Sequence, residues 1–175
     1  MKVIRQSWSF EFLPPNILQN IERAGKTCYK TEEKIAPGTA ENFIEKIIKS
    51  GHLSVIEHVS ISVRIITDRG VTHELVRHRL AAYSQESTRY CNYSQEKFGS
   101  EIMVILPVWF YDLDTDQLIK SFESDNKLTS NNAHEEKFFR WYWGCQHTEY
   151  IYFDLLKLGQ TPQEARSVLP NSLKT

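Results

Sequence analysis

Residues Val59 to Tyr90 read VSISVRIITDRGVTHELVRHRLAAYSQESTRY. In the first part, Val59, Ile61, Val63 and Ile65 alternate with Ser60, Ser62 and Arg64. That period of two predicts a half-buried strand. Asp68-Arg69-Gly70 reads as a turn, and Val71 to Leu80 as a helix. Ala82 to Asn92 is polar without clean periodicity, so it reads as a loop. A strand, a turn and a helix in so short a span call for a fold that mixes sheet and helix.

Toward the N-terminus, Val3 to Phe12 predicts a strand that Pro14-Pro15 breaks. Ile17, Leu18, Ile21 and Ala24 then mark an apolar helical stripe. Pro37 and Gly38 make a turn before a second helix carrying Phe43, Ile44, Ile47 and Ile48, which ends at Gly51. Toward the C-terminus, Ile102 to Leu106 predicts a short buried strand closed by Pro107. Ser121 to His134 is polar and reads as a loop or helix join. Glu135 to Leu158 predicts a long aromatic-rich helix stopped by Gly159. Trp141, Trp143, Tyr150 and Phe153 on it read as core or oligomer interface. Thr161-Pro162-Gln163-Glu164 is a capping-box helix start that places Arg166 in the early turns, with Pro170 as the stop. No internal repeat or domain boundary is visible.

The 175 residues suit one domain. Hydrophobic residues make up 41% and charged residues 25%, values of a globular chain rather than a disordered one. The net charge of -1 argues against a nucleic-acid or membrane-surface partner, which calls for a large basic excess. No apolar run reaches the length of a membrane span. Cys28, Cys91 and Cys145 form no disulfide framework and no C-x-x-C pair, so they read as reduced thiols of a cytoplasmic protein. The seven glycines build neither G-x-G-x-x-G nor a P-loop. Any phosphate donors must therefore come from side chains.

Arg77-His78-Arg79, the hydroxyl- and amide-rich loop after it, and Arg89 supply such donors. Guanidinium forks bind two oxygens of a phosphate at once. On a regular helix Arg77 and Arg79 lie about 200° apart, so they serve two ligands or two ends of one. The competing reading is a solvated helix whose arginines pair with Glu74 or Glu86.

Arg77-His78-Arg79, seven residues, then Ser87 matches the R-H-R-x7-S signature of the flavin-dependent thymidylate synthases, the ThyX family. His52, Glu57-His58, Tyr90-Cys91-Asn92-Tyr93 and the run from Thr161 to Pro170 extend the match. The resemblance covers nearly the whole chain. It implies an α/β (α+β) single domain, mainly antiparallel sheet flanked by helices, in a homotetramer with active sites shared between subunits. It also implies methylation of dUMP to dTMP with FAD, methylenetetrahydrofolate and NADPH. Reduced flavin supplies a hydride to the uracil ring, and no enzymatic cysteine nucleophile takes part.

By the same resemblance, Ser54, Arg77, His78, Arg79 and Gln85 match flavin-contacting positions, with His52 as a further candidate. Glu74, Leu75, Val76 and Arg77 match dUMP-contacting positions. So do Gln85, Glu86, Ser87, Thr88, Arg89 and Arg166, of which Arg89 and Arg166 are expected at phosphate or pyrimidine. Ser87 is expected as a substrate-site donor rather than a nucleophile. Two departures stand out. Glu74 replaces a glutamine found in many relatives, and its carboxylate repels an anionic nucleotide unless an arginine pairs with it. The family also continues past the position of Thr175 into a segment with a dUMP-activating arginine, so the chain is expected to be shortened at its C-terminus.

Two other readings are open. A chain without that arginine could bind flavin or nucleotide, or only assemble, without turnover. A metal hydrolase could use His52, His58, His73, His78 and Glu74, although no ligand spacing supports it and no metal is expected.

Overall fold

The computed structural model describes residues 1–125, 130 and 132–175. They group into two compact units, Met1–Ser7 with Ile66–Thr175, and Trp8–Ile65.

In the first unit, β1 (Lys2–Ile4) pairs with β4 (Met103–Ile105), with Lys2 opposite Met103 and Ile4 opposite Ile105. The expected α+β class stands, but this pair is parallel rather than antiparallel. The two strands lie about a hundred positions apart in the chain. A connection of that length allows a parallel crossover, where a tight hairpin would not. Antiparallel bridges do occur, joining Val104 to Leu173 and Asp68 to Lys174.

Over this pair lies α5 (Ala133–Lys157). Asn132 caps it, its side-chain oxygen accepting from the N–H groups of His134 and Glu135 at 2.9 and 3.0 Å. Phe138, Tyr142, Cys145 and Tyr152 recur every three or four residues, or in multiples of that spacing, and are buried along one stripe. They pack with Ile102, Val104, Leu106 and Leu173 in two adjoining clusters. Trp143 and Tyr150 instead face outward, stacked on either side of His147, so the core half of their expectation does not hold. Gly159 ends the helix region at a positive φ of 94°. The stretch read as loose at 121–134 is helical at both ends. α4 (Thr115–Asp125) runs into it and α5 begins at Ala133, while positions 126–129 and 131 lie outside the described residues.

The second unit holds α1 (Ile17–Cys28), α2 (Thr39–Lys49), and β2 (Ser7–Phe12) paired with β3 (Ser62–Ile66). The expected single strand over Val3–Phe12 is thus two, β1 and β2. Ile21, Ile47 and Val55 form the core of the unit. Gly25 lets the Phe43 ring approach closely: a Cβ would sit 2.4 Å from that ring and 3.1 Å from Val55, so the ring would have to shift. β3 starts at Ser62 rather than Val59, and a 3₁₀ turn occupies Leu53–His58. Its alternation is present, but its residues are not half-buried: Val63 is 39% and Ile65 42% exposed. On β2, Trp8, Phe10 and Phe12 are exposed as well. Glu11 and Arg64 form an ion pair in the same sheet. A two-stranded ribbon has no second layer of its own to cover its apolar side.

Candidate functional site

The first unit contains a cleft of about 410 Å³. Its lining comes from three chain segments: Arg69 and His73, Thr88, and, from the C-terminal stretch, Gln163, Arg166, Ser167 and Leu169 to Asn171. The first segment is α3 (Arg69–Leu75). Asp68 caps it by accepting from the Val71 N–H at 2.8 Å, so the expected turn at Asp68–Gly70 is the beginning of the helix. The third segment begins with the capping box. Glu164 accepts from the Thr161 N–H at 2.8 Å, which holds its carboxyl below the usual range. The helix α6 (Pro162–Ala165) is a single turn. Arg166 therefore stands at its C-terminal cap, not within its early turns.

Two of the expected substrate residues meet in this cleft. Arg166 Nη1 donates to Thr88 Oγ1 at 3.3 Å, and Thr88 is buried. No carboxylate is among the lining residues, and among the described residues neither Arg166 nor Arg69 forms an ion pair. The donor set is two guanidiniums, an imidazole, two side-chain amides and two hydroxyls. Such a lining recognises an anion with several acceptor oxygens. Arg69, Gln163, Ser167 and Asn171 are additions that sequence reasoning missed, and His73 stood there only as a candidate metal ligand. The capping box was the one available signal, since it fixed the chain direction around Gln163.

The remaining expected residues stand elsewhere. α3 ends at Leu75, not Leu80, so Glu74 and Leu75 close the helix and Val76 follows it. Its last bonds tighten to i→i−3, from Arg77 N–H to Glu74 and from His78 N–H to Leu75. The Tyr83 hydroxyl then donates to the His78 carbonyl at 3.0 Å, capturing the chain in a loop. Arg77, His78 and Arg79 are therefore exposed on a bend. Among the described residues, no carboxylate pairs with either arginine. Arg89 lies over the Tyr90 ring at 5.2 Å and does not line the cleft.

Glu86 is not an arginine partner either. It accepts from Tyr93 Oη at 2.7 Å and from Lys174 Nζ at 2.5 Å. Burial, then this bond, raises the Tyr93 phenol far above its ordinary value. Gln85 Nε2 donates to Thr72 Oγ1 at 2.8 Å and Thr175 Oγ1 at 3.2 Å. Ser87 Oγ accepts from the Arg89 N–H at 3.4 Å. Cys145 is buried, which pushes its thiol up to about 11, the reverse of an activated nucleophile. His52 and Ser54 belong to the second unit, where His52 Nδ1 meets the Tyr29 hydroxyl at 3.0 Å. Among the described residues no three His, Cys, Asp or Glu side chains come together to hold a metal ion, and no helix is long and apolar enough to cross a membrane.

The fold resembles the UMP/dUMP methylase PolB from Streptomyces cacaoi, solved bound with 5-Br dUMP. The TM-score is 0.74 at 18% identity over 99% of this chain and 72% of that one. The flavin-dependent thymidylate synthase of Mycobacterium avium (strain 104) is 35% identical over 162 residues, 89% of this chain and 58% of that protein. The enzyme of the same name from Corynebacterium efficiens is 34% identical over 162 residues. The chain thus spans 58% of the length of these relatives. The sequence model of the thymidylate synthase complementing protein family matches residues 12–175. On that match, the chain belongs to the thymidylate synthase complementing protein family.

Proposed function

We propose that the protein acts as a flavin-dependent thymidylate synthase, methylating dUMP to dTMP with FAD, methylenetetrahydrofolate and NADPH. The carrying observation is the cleft, where Arg166 and Thr88 meet within a lining that has donors and no carboxylate. Family membership gives that anion site its chemistry. When bound, FAD supplies the hydride and folate the one-carbon unit.

The chain's own residues then have definable tasks. Arg166 holds the nucleotide, with Thr88 keeping its guanidinium in place. Glu74 to Arg77, Gln85 to Ser87 and Arg89 take the substrate roles expected from the motif resemblance. Glu86 acts through position, because its carboxylate is committed to Tyr93 and Lys174. Arg77 and Arg79 fit FAD: they are exposed guanidiniums with no carboxylate partner among the described residues, suited to a pyrophosphate or to the anionic reduced ring. His78, Gln85, Ser54 and His52 complete that flavin set. The exposed apolar side of β2 and β3 supports assembly into a homotetramer. The three free cysteines support a cytoplasmic location.

The test is tritium release from dUMP labelled at C5, in the presence of FAD, NADPH and methylenetetrahydrofolate. Release that depends on FAD supports the reading. A purified protein that takes up no flavin and releases no tritium refutes it.

A further inference from the structure

We propose that Arg69, with His73, forms the second half of a phosphate-monoester site in the cleft it shares with Arg166. The assignment rests on the nucleotide reading above and adds residues which that reading does not use. Arg69 opens α3, and its backbone is fixed: its N–H donates to the carbonyls of Asn171 and Leu173 at 3.0 and 3.1 Å. The side chain is not satisfied. Arg69 Nη1 is buried with no hydrogen-bond partner among the described residues, and no carboxylate there pairs with the guanidinium. The adjacent carboxylate, Asp68, is committed to the Val71 N–H.

A buried cationic N–H without an acceptor is costly, and the folded chain offers it none. The missing partner is an anion. His73 follows four residues later, so it shares a face of α3 with Arg69 and lines the same cleft. Two guanidiniums, an imidazole, and the Thr88 and Ser167 hydroxyls outnumber the acceptor capacity of a carboxylate. A phosphate monoester, with up to two charges and three acceptor oxygens, matches them.

The experiment titrates dUMP, deoxyuridine and inorganic phosphate into the wild type, Arg69→Gln and Arg69→Lys, with melting curves to confirm folding. Wild type is expected to prefer dUMP to deoxyuridine. Arg69→Gln is expected to weaken dUMP and phosphate by about tenfold or more and to leave deoxyuridine unchanged. Arg69→Lys keeps the charge but not the fork, and is expected to fall between them. If Arg69→Gln, or Arg69→Lys where the former does not fold, keeps the wild-type preference for dUMP, the Arg69 assignment is overturned while the nucleotide reading stands. If phosphate binds through Arg69 with no preference for the uracil nucleotide, the assignment stands and the thymidylate reading falls. A wild type that binds dUMP and deoxyuridine alike overturns the proposal.

Discussion

Two arginine-bearing regions of the first unit differ in how their charges are placed. At the end of α3, Arg77 and Arg79 are neighbours in sequence, exposed on a bend. In the cleft, Arg69 and Arg166 are nearly a hundred positions apart in the chain, yet line one cavity. The first pair has the spacing of a motif and open surroundings. The second has no sequence spacing at all, but a lining stripped of carboxylates and a buried guanidinium nitrogen without a partner. Proximity along the chain is a poor guide to which cations share a ligand. Shared walls are a better one, because a buried charge must find compensation where it sits.

The sharpest way to break this contrast is Arg166→Gln. It removes a charge-assisted donor, and nucleotide affinity is expected to fall between about tenfold and a hundredfold by calorimetric titration. An unchanged dissociation constant would place the nucleotide outside the cleft. The next largest effect is on the loop that leads from one region to the other. Glu86→Ala leaves the buried Tyr93 hydroxyl without its acceptor and is expected to cost about 1–3 kcal/mol in urea unfolding. A loss near zero would mean that the loop is not anchored through Glu86. Asp68→Ala removes the cap that sets Arg69 at the start of α3, with an expected cost of about 1 kcal/mol. Its check is denaturant unfolding together with the dUMP titration, since both should weaken. Smallest is the effect of Arg77→Ala and Arg79→Ala on stability, expected within about 0.5 kcal/mol because both are exposed and unpaired. A large destabilisation by either would show that the bend is structural and remove the contrast with the cleft.

Much of this was readable beforehand where local physics decides. The stripes of α1 and α2 hold except at Leu18 and Ile48, which are exposed; α5 follows helical periodicity, and the Thr161–Glu164 capping box formed as read. The end of α3 was not readable, because the Tyr83 hydroxyl takes the His78 carbonyl from a distance and stops a run with helical propensity. The parallel pairing of β1 with β4 depends on contacts between chain segments far apart. Thr88 and Arg166 could be named from the family motif. Arg69 could not, and His73 stood only as a candidate metal ligand: Arg69 lay in an apparent turn, and only the folded chain shows that one of its guanidinium nitrogens is buried and that the residue lines the cleft.

A cleft that binds a nucleotide in order to methylate it must yield a methylated product. Product analysis of dUMP incubated with the protein, FAD, methylenetetrahydrofolate and NADPH tests that most directly. The expected product is dTMP, lost when FAD is omitted and, at dUMP concentrations near the wild-type dissociation constant, sharply reduced with Arg166→Gln. A protein that binds both FAD and dUMP yet forms no dTMP would contradict it.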